Sequence, residues 1–163
     1  MGIPTGGVAS VPSGTALYGS TISGHITYEN SGANANAFRW TANEGFQDLG
    51  DLSADKRSVG LGISDNGNVV VGFGNTSSGR SAMYWSSATG MVQMENSSNP
   101  NSQANAASAN GKVIVGSQVK LMDIGNGKEF IREAFFWTGS TGIRGIGFLP
   151  APPGISNISS EAS

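Results

Sequence analysis

The sequence predicts an all-β fold of propeller-like blades, about three of them, each an antiparallel sheet of four short strands and together too few to close one ring. Three observations lead there: a tryptophan motif that recurs in register, a Ser-x-Asn-Gly turn ahead of it, and a composition suited to short strands and turns. Charged residues are 12% of the 163, about half of the ~25% usual in a soluble domain, while Gly occurs 25 times. Polarity therefore rests on Ser, Asn, Thr and Gly, which compete with a helical backbone but suit tight turns.

The tryptophan motif is Ala-x-x-Trp: Ala37-Phe38-Arg39-Trp40, Ala82-Met83-Tyr84-Trp85 and Ala134-Phe135-Phe136-Trp137. It takes all three tryptophans of the chain, 45 and then 52 residues apart. Each copy continues with Gly five positions on (Gly45, Gly90, Gly142), an apolar residue at six (Phe46, Met91, Ile143) and another at nine (Leu49, Met94, Ile146). Ahead of the motif, Ile63-Ser64-Asp65-Asn66-Gly67-Asn68-Val69-Val70-Val71-Gly72 aligns with Ala107-Ser108-Ala109-Asn110-Gly111-Lys112-Val113-Ile114-Val115-Gly116. The first copy keeps only Thr21-Ile22-Ser23-Gly24 of this.

Unit two shows four strands: Val59 to Ile63, Val69 to Phe73, Ala82 to Trp85, and Met91 to Met94. Asn66-Gly67 and Asn110-Gly111 read as two-residue type I′ hairpin turns, with Gly67 and Gly111 at positive φ. Gly72, Gly116, Gly45, Gly90 and Gly142 complete the repeating glycine anchors. The longer second interval places about seven extra residues near Met122–Gly127, in a hairpin loop. Residues 1–15 form an extension, which either completes a neighbour's sheet or leads in without structure. A repeat domain over 16–155 divides into 16–58, 59–103 and 104–153. Gly154-Ile155-Ser156 reads like Gly62-Ile63-Ser64 and marks 154–163 as the start of a fourth unit or a tail. Four strands per unit favour blades over a β-solenoid, whose coils are shorter and lack paired hairpins.

The stretch AFRWTANEGFQDLGDLSADKRSVGLGISDNGNVVVG, from Ala37 to Gly72, resembles the HAF repeat of bacterial extracellular proteins and some autotransporter passengers. Asp48-Leu49-Gly50 matches that family's Asp-Leu-Gly after the Trp, and Ser64-Asp65-Asn66-Gly67 its turn. Unit three departs, with Gly145-Ile146-Gly147. The resemblance implies a propeller-like fold and a secreted or cell-surface setting, with no defined reaction and no residue roles.

The function classes narrow accordingly. Net charge is −2 with no basic stripe, which argues against nucleic acid. No apolar run approaches the ~18 residues of a membrane span, and the start, Met1-Gly2-Ile3-Pro4-Thr5-Gly6-Gly7, lacks signal-peptide regions, so the chain reads as cytosolic or as a mature fragment. Cysteine is absent, which removes thiolate chemistry. Trp40, Trp85 and Trp137 are candidate glycan-stacking platforms, although an aromatic in a repeated register more often packs between blades. Calcium is a weak possibility at Asp65-Asn66-Gly67-Asn68 or at Glu44, Asp48, Asp51 and Asp55, where hard oxygen ligands cluster, and no metal ligand set is assigned. His25, the single histidine, stands in Ser23-Gly24-His25-Ile26-Thr27 without a nucleophile elbow, so no catalytic residue is assigned. The expected function is a non-enzymatic surface, adhesive or self-assembling repeat module whose partners are other copies of the repeat. The alternatives are a lectin for cell-surface glycans and, below it, a glycan-active enzyme.

Overall fold

The computed structural model describes residues 4–28, 34–53, 57–94, 101–123 and 127–148. Residues 154–163, Asp55 and the loop centre Ile124–Asn126 lie outside them. Among the described residues, twelve strands form three sheets. Unit one is β1 (Ala9–Thr15), β2 (Thr21–Thr27), β3 (Ala35–Thr41) and β4 (Gly45–Asp48). Unit two is β5 (Ser58–Ile63), β6 (Val69–Thr76), β7 (Gly79–Ser86) and β8 (Gly90–Gln93). Unit three is β9 (Ser102–Ala107), β10 (Val113–Asp123), β11 (Lys128–Thr138) and β12 (Gly142–Gly145). In each sheet the strands run in chain order and pair antiparallel, the meander of a propeller blade rather than the parallel coil of a solenoid. Three blades leave the propeller open.

Unit one begins earlier than the sequence suggests. Ala9–Thr15, read as part of an extension, pairs with β2 of its own chain from Ala9↔Thr27 to Thr15↔Ile22. Its Ser, Gly and Pro content gives little strand signal, and backbone pairing with β2 decides the outcome. The same bulge interrupts the first ladder of every unit, at Pro12/Gly14, at Gly60/Gly62 and, opposite Ala104 and Ala106, at Val115/Gly116. The extra residues of unit three lengthen its hairpin more than its loop. β10 and β11 have 11 residues each, where β6 and β7 have 8.

The turns differ from the I′ expectation. Ile63↔Val70 is the last ladder pair, Ser64 N–H donates to Val69 O at 2.9 Å, and Gly67 N–H donates to Ser64 O at 2.8 Å. Four residues, Asp65 to Asn68, therefore lie inside the loop, and Gly67 alone among them has positive φ, at +71°. Side chains stabilise the wider loop: Ser64 Oγ donates to Asn66 Oδ1 (2.6 Å) and accepts from Val69 N–H (3.0 Å), while Asn66 Oδ1 also accepts from Asn68 N–H (3.1 Å). Ser108 and Asn110 repeat this pattern. Unit one closes the same loop with Ala16 and Tyr18 in those places: Ala16 N–H donates to Thr21 O (2.8 Å) and Gly19 N–H to Ala16 O (2.9 Å).

Alternation along the strands gives each sheet two apolar faces. Val70, Met83 and Trp85 of unit two join Ala16, Ala37 and Leu49 of unit one in a buried cluster. Val71, Ala82 and Met94 face the other way and join Ala104, Ile114 and Phe135 of unit three. Most of the inter-sheet contact comes through the first strand of the later unit. β5 packs against β1, β2 and β3, and β9 against β5, β6 and β7.

Candidate functional site: the outer faces of the first and third units

The three tryptophans occupy the same ladder position, opposite Phe46, Met91 and Ile143. Trp85 is 7% exposed and belongs to the cluster between units one and two. Trp137 packs on Tyr84 of unit two, ring centroids 5.1 Å apart. Both indoles thus face the preceding unit. The same register sets Trp40, half-buried, on the face of unit one directed away from unit two, beside the edge-to-face pair Phe38 and Phe46 at 4.9 Å.

The glycine anchors have local causes. A Cβ on Gly72 would stand 1.9 Å from Val59 O and one on Gly116 2.1 Å from Gln103 O, so the bulged ladder closes only over glycine at this position. Gly67 and Gly111 meet the preceding blade, where a Cβ would lie 2.7 Å from Thr21 Oγ1 and 2.4 Å from Val69 Cγ2 respectively. Gly45, Gly90 and Gly142 open the fourth strands at φ of +72°, +67° and +63°.

Thr21 and Val69 are covered by the turn of the following unit, whereas their counterpart Val113 is 40% exposed. The position nine residues after the tryptophan shows the contrast more sharply. Leu49, Met94 and Ile146 donate the same backbone hydrogen bond, to Ala37 O, Ala82 O and Ala134 O at 2.9, 2.9 and 3.0 Å. Leu49 is 7% exposed, Met94 1% and Ile146 63%. Equivalent backbone with unequal burial means that units one and two each have a neighbour over this face, whereas Ile146 of unit three has none over it among the described residues. The exposed large apolar residues are Val8, Val11, Leu17 and Tyr18 in unit one and Val113, Leu121, Met122, Phe130 and Ile146 in unit three, with none in unit two among the described residues. Leu121 and Phe130 are cross-strand partners near the tip of the long β10–β11 hairpin.

The polar candidates are engaged locally. Asp48 accepts from the Tyr28 hydroxyl, Asn36 Nδ2 (3.0 Å) and Gly50 N–H (2.8 Å). Burial and this carboxylate push the Tyr28 phenol up to about 12. Glu44 pairs with Arg39 at 2.8 Å and accepts from Thr41, interactions that hold its carboxyl below the usual range. No group of three or more His, Asp or Glu is placed to share a metal ion among the described residues. The Arg39–Glu44 pair, Gln47, Asn68 and Ser87 line a cleft at the edge of Trp85, between units one and two. His25 Nδ1 is buried without a partner, and desolvation, followed by the charge of Arg57, lowers its pKa.

Two features escaped the sequence reading: a serine at the head of each unit's first strand, and Glu133, a 4%-exposed carboxylate bound to Lys120 (2.5 Å), Gln118 (2.9 Å) and Gly147 N–H (3.2 Å). The serine signal was present in the chain as Ser10, Ser58 and Ser102, each six residues before the first residue of a turn. Seeing it requires the bulge register.

With the sheets and their faces defined, comparison with solved structures becomes informative. The blades are those of an open β-propeller. The chain is similar to TolB from Acinetobacter baumannii, with TM-score 0.53 at 11% identity over 86% of this chain and 32% of that one. It is also similar to the putative TolB from Agrobacterium tumefaciens, with TM-score 0.51 at 9% identity over 85% and 49%. The chain thus spans about a third of one of those proteins and about half of the other, and at such identities the likeness is one of fold. No protein-family model matches the sequence, and no curated protein does.

Proposed function

We propose that this chain is a non-enzymatic repeat module of a secreted or cell-surface protein that works by contact, its outer blades joining further copies of the repeat or a surface. The observation that carries this reading is Ile146, exposed where Leu49 and Met94 are buried. A blade face with an apolar residue at the position its sisters cover is a face suited to another blade. Exposed Leu121 and Phe130 on the long hairpin add a second apolar contact at the periphery, and grouped exposed apolar side chains are characteristic of interaction surfaces. The resemblance to HAF repeats supports the extracellular setting. Light scattering after size exclusion tests the reading: particle mass should rise with concentration, and Ile146→Glu with Phe130→Ser should return it to one chain. A strict monomer at all concentrations that also binds no cell surface contradicts it.

The cleft at Trp85 supports a second reading, a glycan-binding module, because it sets an ion pair and two carboxamides beside an indole edge. A glycan array whose hits disappear in Asn68→Ala distinguishes this reading from the first.

A further inference from the structure

Unit two gathers positive charge where its central hairpin meets unit three. Phe73 of β6 pairs with Val59 and Ala82, and one row nearer the hairpin tip Asn75 pairs with Arg80 and donates its N–H to Arg57 O at 2.7 Å. Arg57 and Arg80 therefore enter from either side of Asn75, in the row next to Phe73. Both lean over the Phe73 ring, their guanidinium carbons 5.9 Å (Arg57) and 4.1 Å (Arg80) from its centroid. Phe73 is buried and the Arg80 side chain that caps it is exposed, so this corner is open to solvent.

Unit three fixes the arrangement. Arg80 Nη1 donates to Gln103 Oε1 of β9 at 3.2 Å, and Gln103 Nε2 donates to Asn105 Oδ1 at 3.0 Å. Arg132 of β11 stands five residues before its tryptophan, as Arg80 does, and donates to Ser117 Oγ at 3.0 Å. Desolvation, followed by the charges of Arg57 and Arg132, lowers the Arg80 pKa. Three of the five arginines of the chain thus act on one corner.

Neither Arg57 nor Arg80 meets a carboxylate among the described residues, where the ion pairs are Arg39–Glu44 and Lys120–Glu133. Arg80 is met instead by the neutral amide of Gln103. Arg57 Nε is buried with no hydrogen-bond partner. A guanidinium offers five N–H donors and no acceptor, so neighbouring arginines cannot satisfy one another, and a buried donor without an acceptor is costly. An anion at this corner would offset the mutual repulsion and the orphaned donor together.

We infer that Arg57 and Arg80 form a binding site for a tetrahedral oxoanion, either a free ion or the sulfate ester of a saccharide. The anion accepts from Arg57 Nε–H and from the Arg80 donors that Gln103 does not use. A tetrahedral group presents oxygens in several directions, as donors arriving from both sides of Asn75 require, whereas a planar carboxylate matches a single fork. Because Arg80 is also bound to Gln103, the ligand ties the hairpin of unit two to the first strand of unit three. The site shares no residue with the contact surface or the Trp85 cleft proposed above.

NMR titration of the full chain with sodium sulfate, at ionic strength held constant with sodium chloride, tests this. Sulfate should shift the Arg57 and Arg80 Nε–H signals saturably and leave that of Arg144 in place. Arg57→Gln and Arg80→Gln should each weaken binding at least ~10-fold, read from the remaining arginine. Arg144→Gln, which removes the same charge from exposed β12, should not. Galactose 6-sulfate binding more tightly than sulfate assigns the site to a saccharide ester, and equal or weaker binding assigns it to the free ion, with galactose as the neutral control. Shifts that do not saturate, or an equal loss in Arg144→Gln, reduce the effect to charge screening and overturn the inference. Binding that arises only in Asp55→Asn also overturns it, because the chain would then supply its own counter-charge. If Arg57→Gln does not fold, Arg80→Lys decides: it keeps the charge and loses the fork, and unchanged affinity would contradict the site.

Discussion

Trp85 and Trp40 hold one register position in different surroundings, and the difference sets what each indole contributes. Trp85, 7% exposed between two sheets, removes about 150–250 Å² from water, worth roughly 4–6 kcal/mol as an upper bound at ~25 cal/mol/Å². Trp85→Ala should cost about 3–5 kcal/mol in urea unfolding, and Trp40→Ala, with its indole half-buried on an open face, about 1 kcal/mol. Equal losses would contradict the assignment of the two faces. His25 makes a second prediction at this scale. Its folded pKa lies below the ordinary 6.5 through burial and the Arg57 charge, so between the two values the unfolded chain binds more protons. Stability is then full above pH 6.5 and falls as pH drops through that value toward the folded pKa. His25→Gln should flatten this segment of a melting-temperature profile taken from pH 7.5 to 5, and an unchanged slope would assign it to other groups.

At the level of strands and turns, the chain depends on how closely one unit's turn approaches the next. Gly111 combines φ of +71° with a Cβ position 2.4 Å from Val69 Cγ2, whereas Gly19, at φ +68°, has nothing nearer than Thr15 Oγ1 at 3.8 Å. Gly19→Ala should therefore cost only the left-handed backbone term, about 1–2 kcal/mol, and Gly111→Ala that plus overpacking of about 1–3 kcal/mol, both read from chemical denaturation. The same turns show how far the sequence could be read. Strand positions in unit two were legible to within about three residues because alternating Val, Met and aromatic residues are bounded by Gly and Ser. The turn type was not, because Ser64 and Asn66 side chains stabilise a wider loop that the Asn-Gly pair alone does not reveal. The pairing of β1 was not legible: residues 1–15 read as a strand for a neighbour's sheet or as a lead-in without structure, because backbone pairing, not side-chain pattern, joins Ser10-Val11-Pro12-Ser13-Gly14 to β2. The Gly145 departure hid a compensation, since the carboxylate that replaces Asp48 comes from Glu133 on the adjacent strand, twelve residues away in sequence.

For the whole molecule, stability follows from each sheet leaning on its neighbours. In such an array the free energy is close to a sum of unit terms and nearest-neighbour interface terms, so the unit with two interfaces is held most strongly. Unit two has both: its Val70, Met83 and Trp85 are buried against unit one, and its Val71, Ala82 and Met94 against unit three. Units one and three each have one such interface among the described residues, and the exposed large apolar residues lie on them. Native-state hydrogen exchange should accordingly find β6 and β7 opening only with global unfolding, while β1 and β12 open at a free energy lower by about 2 kcal/mol or more, the scale of one lost apolar contact set. Doubling unit two in tandem should raise the free energy of the central strands by adding an interface, whereas fusing an unrelated domain to either end should not. If β1 and β12 proved as protected as β6 in a dilute monomer, the sheets would be stable singly, and the open faces would no longer be a physical reason for this chain to seek a partner.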